Sequence, residues 1–251
     1  MSKLDKFAAQ KEASRDSKLE ELFGSMPSET EVLVNLPSGG KFYSEKSPQI
    51  KINPIKFEDE KQLLSSIKNN INPINVIIEK CSEGVDISEL LIIDKLFLLL
   101  KIREISYGAE YPASINCPAC NQNSEVKIDL SKLLINDIPE DVEDPREILL
   151  PKLNKKVKVR FPRVSDETFL QNQEQIYDNI WRFVTSVDGI SDPVFIAKAI
   201  PRMHIMDIKY ILKHIMRADL GLNPKFIFLC DKCGQKSDME VPINENFFSV
   251  T

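Results

Sequence analysis

Alternation and helical periodicity along the chain predict a recurring order of elements. Glu31 to Leu36 alternates apolar and polar positions and predicts a strand, followed by a turn at Pro37-Ser38-Gly39-Gly40 into Lys41-Phe42-Tyr43. Ile50-Lys51-Ile52 predicts a second strand, and Phe57 to Lys68 a helix with Leu63, Leu64 and Ile67 on one face. Pro73 opens a short helix ending near Cys81. Asp86-Ile87-Ser88-Glu89 has the spacing of a capping box, which predicts the start of a long helix running to about Ser106. Its apolar positions between Leu90 and Leu100 fall on nearly all sides, so it should be central and buried, with Gly108 ending it. Further on, Val157 to Phe161 predicts a strand and Asp166 to Ser186 one long helix. A turn at Asp188-Gly189 leads to a short helix at Val194 to Ile200, and a helix from Met203 to Leu220, opened by Pro201, stops at Gly221.

Each long helix is followed by the same unit of strand, cysteine knuckle and strand. Cys117-Pro118-Ala119-Cys120 lies between Ala113-Ser114-Ile115-Asn116 and Val126-Lys127-Ile128-Asp129-Leu130. Cys230-Asp231-Lys232-Cys233 lies between Phe226-Ile227-Phe228-Leu229 and Met239-Glu240-Val241-Pro242-Ile243. A constant offset of 113 residues places Asp94 on Asp207, Gly108 on Gly221, Cys117 on Cys230, Cys120 on Cys233, Gln122 on Gln235 and Ser124 on Ser237. Upstream, an offset of 107 aligns Phe57-Glu58-Asp59-Glu60 with Val164-Ser165-Asp166-Glu167. The pattern reads as an internal duplication.

These expectations add up to an α+β fold of two duplicated modules, each with strands, a long buried helix and a knuckle hairpin, joined at one shared zinc-ribbon-like site. The modules should span 29–136 and 151–251, with the acidic, proline-punctuated stretch 137–150 as a linker and a charged segment, 1–28, in front. Thiolates are soft ligands that zinc takes tetrahedrally, and C-x-x-C lets one turn aim two sulfurs at one ion. Cys117, Cys120, Cys230 and Cys233 are therefore the candidate ligands of a structural zinc. Four sulfurs would leave no open position for catalysis.

Composition narrows the alternatives. At 251 residues, 42% of them apolar, the chain can bury one large core or two small ones. A net charge of −5 supplies no global basic field for nucleic acid or anionic lipid. The longest apolar run, Leu90 to Leu100, is interrupted by Asp94-Lys95 and is too short for a bilayer, and the charged N-terminus is no signal peptide, which predicts a soluble cytosolic protein. The odd Cys81 follows Val76-Ile77-Ile78 and reads as a small buried hydrophobe.

A local basic run of Lys152, Lys155, Lys156, Lys158, Arg160 and Arg163 keeps a nucleic-acid-binding zinc ribbon open as the rival reading, with a solvated strand face as the plain one. A dithiol redox pair would want a thioredoxin-like context that the pattern lacks. His204 and His214 are ten apart on one predicted helix and make no metal pair, Asp59-Glu60 and Asp166-Glu167 read as solvated helix starts, and no nucleotide-binding or nucleophile motif occurs. An enzyme is not expected. Apolar residues outside either module's elements, Leu19, Leu22, Phe23, Phe247 and Phe248, are candidate partner contacts, with core packing the alternative for the last two.

Leu36-Pro37-Ser38-Gly39-Gly40-Lys41, then Phe57-Glu58-Asp59-Glu60 leading a helix, then the leucine-rich stretch Asp94 to Arg103 and the knuckle together resemble the baseplate hub assembly proteins of T-even-type tailed bacteriophages. The resemblance covers about residues 30 to 245. It implies a non-enzymatic role in building the hub of a contractile tail, as an assembly factor or minor component that binds hub proteins, in the host cytoplasm or the virion baseplate.

Overall fold

A computed structural model describes residues 15, 17, 18, 21, 22, 31–43, 49–68, 72–217, 219–243 and 245–248. The first part of the chain forms β1 (Val32–Asn35), β2 (Gln49–Ile52), α1 (Phe57–Lys68), α2 (Pro73–Cys81), β3 (Ser82–Glu83), α3 (Ile92–Tyr107), β4 (Glu110–Asn116), β5 (Asn123–Asp129) and β6 (Ile135–Asn136). The second forms β7 (Arg146–Leu149), β8 (Lys156–Val159), α4 (Gln173–Asn179), β9 (Val184–Val187), α5 (Pro193–Ala199), α6 (Ile205–Met216), β10 (Gly221–Leu222), β11 (Lys225–Leu229) and β12 (Lys236–Glu240). The fold is mixed helix and sheet, and among the described residues no helix is long and apolar enough to cross a membrane.

Two three-stranded antiparallel sheets, β1-β2-β3 and β7-β8-β9, have the same strand order. Each is built by alternation. In β2, Ile50 and Ile52 face inward while Lys51 lies between Glu31 and Glu83, and in β8, Val157 and Val159 are buried between exposed Lys156 and Lys158. The hairpins β4-β5 and β11-β12 carry the knuckles, and a short pair, β6-β10, ties the two parts of the chain together.

Five sequence expectations change in the structure. α3 starts at Ile92, because the Asp86 carboxylate accepts from the Ser88 amide and hydroxyl in a closed turn while Leu91 bridges to Arg163. The single helix expected over 166–186 is broken: 3-10 turns at Val164–Phe169 and Ile180–Phe183 flank α4, and Val184 to Val187 becomes β9. There the β-branched run gains a ladder with β8 and buries Val184, Ser186 and Val187, which outweighs its helical neighbours. α6 opens at Ile205, capped by His204, whose Nδ1 accepts the Met206 amide at 3.1 Å, while Pro201 belongs to a 3-10 turn. The stretch 137–150 is no loose linker. Ile138 is buried and donates its amide to the Pro37 carbonyl at 2.8 Å, Lys41 Nζ reaches the Pro139 carbonyl at 2.6 Å, and residues 146–149 are β7. Finally, Asp166 is not solvated: it is buried and takes a two-pronged bond from Arg160 at 2.7 and 2.9 Å.

Buried side chains collect into a large cluster around α3 that includes Ile52, Ile78, Leu98 and Leu99, and a second around Val157, Phe183 and Ile211. Leu91, Ile138, Phe161 and Leu220 fill the joint between them. The clusters do not follow the chain halves, since Leu222, Phe228, Cys230, Val241, Phe247 and Phe248 pack in the first.

The two long helices carry a matching device. Asp94, in the first turn of α3, is fully buried and accepts the Ser38 amide at 3.0 Å and the Tyr43 hydroxyl at 2.5 Å. Asp207, in the first turn of α6, is fully buried and accepts the Lys152 and Leu153 amides at 2.8 and 3.0 Å. Each carboxylate thus pins the turn that follows the first strand of its sheet, Leu36-Pro37-Ser38 in one case and Leu150-Pro151-Lys152 in the other.

Candidate metal centre

Both knuckles close by the same backbone turn. The Cys117 amide donates to the Gln122 carbonyl at 2.8 Å and the Asn121 amide to the Cys117 carbonyl at 2.9 Å; in the second, Cys230 donates to Gln235 and Gly234 to Cys230, each at 2.9 Å. The turn needs a left-handed residue directly after the second cysteine, and Asn121 at φ 56° and Gly234 at φ 70° supply it. Gln122 and Gln235 each reach the next residue's carbonyl at 2.8 Å, and Lys232 Nζ crosses between the hairpins to Gln122 Oε1 at 3.3 Å. The sequence offset pointed at these supporting residues, but their role is visible only in the folded turns.

The hairpins bring all four sulfurs within 4.8 Å of one another. Cys117 Sγ lies 3.7 Å from Cys233 Sγ, and Cys120 Sγ 3.7 Å from Cys230 Sγ, so the short approaches run across the knuckles. A tetrahedral ion with metal–sulfur bonds of about 2.3 Å sets its sulfurs about 3.8 Å apart, whereas a disulfide needs about 2.05 Å. All five cysteines are free thiols. Cys117 and Cys230 are buried, Cys120 is half-buried and Cys233 is exposed, so the cluster sits at the edge of the first core with one open side.

Electrostatics point the same way. The Cys117 thiol is drawn down to about 7, first by the bond its sulfur accepts from the Cys120 amide and then, against the cost of burial, by that from Ala119. At Cys233 the Gln235 amide pulls downward, but burial and the sulfurs of Cys120, Cys230 and Cys117 outweigh it and push the thiol up to about 12. Four thiols cannot all ionise beside one another unless a cation compensates them. The donor set, spacing and proton demand therefore fit a soft divalent ion held by Cys117, Cys120, Cys230 and Cys233.

The other candidate residues fall elsewhere. Phe247 and Phe248 are not a surface hook: both are buried, stacked edge-on at 5.2 Å, and Phe247 meets Tyr111 at 5.0 Å, because the first core offers them an apolar seat. Leu22 is exposed, while Leu19 and Phe23 lie outside the described residues. The basic run is largely neutralised in place, with Lys155 on Asp188, Lys156 on Glu147, Arg160 on Asp166 and Arg163 on Asp144. Cys81 is buried and its thiol is pushed up to about 12, chiefly by burial, which makes it an inert core residue.

No curated protein and no solved structure matches the chain. A family model described as T4 bacteriophage base plate protein matches residues 28–249, most of the chain, and the protein therefore belongs to this family of phage baseplate proteins.

Proposed function

We propose that this protein is a non-enzymatic assembly factor or minor component of the baseplate hub, in which one structural zinc staples two duplicated modules into a rigid body that holds a hub subunit. The single observation that carries the staple is the cross-knuckle sulfur spacing of 3.7 Å, contributed by cysteines more than a hundred positions apart in the chain. Zinc suits the site because it takes four thiolates tetrahedrally, asks for no other geometry and undergoes no redox change. The duplication is supported by the equal strand order of the two sheets, the paired aspartates Asp94 and Asp207, and the two identical knuckle turns. With every tetrahedral position filled by sulfur, the ion would serve as scaffold and not as Lewis acid.

Baseplate family membership supports partners among other baseplate proteins, and the host cytoplasm is where such a subunit would be assembled. The segment before residue 29, with Leu19, Leu22 and Phe23, is the assigned contact for a hub protein. Metal analysis of the purified full chain, with and without Cys230→Ser, tests the staple. One zinc per chain, lost in the variant along with several degrees of thermal stability, is the expected result, since binding energy at a structural site is folding energy. A chain that melts unchanged without metal would remove the staple. For the partner, deletion of residues 1–28 should abolish co-purification with hub subunits while the melting curve stays put; unaltered co-purification would remove that contact.

A further inference from the structure

A cleft at the C-terminal end of α6 gathers cations that neither the metal centre nor the baseplate role uses. It measures about 580 Å³ and is lined by Lys213, His214, Met216, Arg217 and Asp219, a size within the roughly 300–1,000 Å³ of small-ligand sites. Arg217 leaves the helix at φ 26° and lays Nε and Nη2 side-on against the Asp219 carboxylate at 2.7 and 2.8 Å. The carboxylate on the wall is therefore engaged.

Arg146, the first residue of β7, lies within electrostatic reach of Arg217, Asp219 and Tyr210. Its Nε and Nη2 are buried with no hydrogen-bond partner, and they form the same guanidinium edge that Arg217 lays on Asp219. Both ring nitrogens of His214 are also buried and unpartnered, while the ring is held edge-on by Tyr210 at 4.5 Å between centroids. Cations in the last turn of a helix complement its dipole, which accounts for Lys213 and His214. It does not account for Arg146, which sits on a strand. Burial, followed by the charge of Arg217, works against the Arg146 guanidinium, and an anion in the cleft would reverse that penalty. The Nε–Nη2 fork matches the two oxygens of a carboxylate or phosphate, and the buried imidazole offers a further donor.

We propose that this cleft binds an oxyanion, a carboxylate or phosphate group, with the Nε–Nη2 edge of Arg146 taking two of its oxygens and His214 and Lys213 donating from the helix side. The site is independent of whether the cysteine cluster holds metal. Titration calorimetry and thermal melts of the full chain with inorganic phosphate and, separately, glutarate test it. Binding is expected for at least one probe, with affinity falling about tenfold or more in Arg146→Lys, which keeps the charge but loses the fork. His214→Gln should weaken the same probe severalfold and serves if the arginine variant fails to fold. Preference for phosphate assigns a phosphate-bearing ligand, and preference for glutarate a carboxylate-bearing one; either supports the site. No heat and no midpoint shift beyond that of sodium chloride at matched ionic strength overturns it, as does unchanged affinity in both variants.

Discussion

The helices α3 and α6 open on equivalent buried aspartates yet live in different surroundings. α3 is covered on nearly every side and buries Lys95 and Arg103 along with its leucines, whereas α6 leaves Ile205, Met206 and Met216 about half exposed. The difference comes from the second knuckle. Hairpin β11-β12 packs its Phe228 and Val241 into the first core, and the chain end follows with Phe247 and Phe248. One module therefore borrows cover from the other, and the cysteine cluster sits where the borrowed hairpin meets its host.

The largest effect expected from breaking this arrangement is at Phe228, which is 1% exposed, against its neighbour Ile227, which is 63% exposed on the same strand. Phe228→Ala should cost about 3–5 kcal/mol in denaturant unfolding, and Ile227→Ala less than about 0.5 kcal/mol. Comparable losses at the two positions would mean that β11 does not dock on the first core.

Next come the paired aspartates. Asp94→Ala strands the Ser38 amide and Tyr43 hydroxyl, and Asp207→Ala strands the Lys152 and Leu153 amides. Each should lower stability by about 3 kcal/mol, since buried donors left unpaired carry their full desolvation penalty. If only one variant is destabilised, the two devices are not equivalent.

The paired glycines sharpen the contrast further. Gly108 and Gly221 both have φ above +70°, but a Cβ at Gly108 meets nothing within 4 Å, whereas one at Gly221 would fall 2.8 Å from Ile93 Cβ. Gly108→Ala should cost roughly 1–2 kcal/mol from backbone strain alone. Gly221→Ala should cost more, about 3 kcal/mol, because Ile93 must also shift. Equal melting points for the two variants would contradict the close approach of β10 to α3.

The smallest expected effect is a pH dependence at Asp166. Burial works to raise its pKa, but the bonds from Arg160 and the Arg163 amide outweigh burial and hold the carboxyl below its usual range. A folded value below the unfolded one, which is near about 3.9, gives stability that is complete above the unfolded value and lost as pH falls through the folded one. Asp166→Asn should therefore flatten the acid limb of the stability curve, and an unaltered limb would show that Arg160 contributes nothing there.

Local signals made much of the architecture legible. Alternation marked β1, β2 and β8, an all-round apolar helix announced the central α3, and the C-x-x-C pairs at a fixed offset marked the four candidate ligands. Positions decided by remote partners were not legible. Val184 to Val187 reads as helix until β8 is beside it, Asp166 reads as solvated until Arg160 closes on it, and the stretch before β7 reads as a linker until Pro37 and Lys41 take its backbone groups. Arg146 carried no signal at all, because nothing local distinguishes a guanidinium left without a partner from one in water.

What the sequence determined by itself is the repeating order of elements, the sulfur donors and the resemblance to baseplate proteins, since periodicity, ligand chemistry and motif spacing are properties of neighbouring residues. The tertiary structure alone decided that the knuckles face each other, that the second covers the first core, and that the terminal phenylalanines are buried. Those outcomes depend on which apolar surfaces remain uncovered after each half has folded, a quantity summed over the whole chain and written in no single stretch of it.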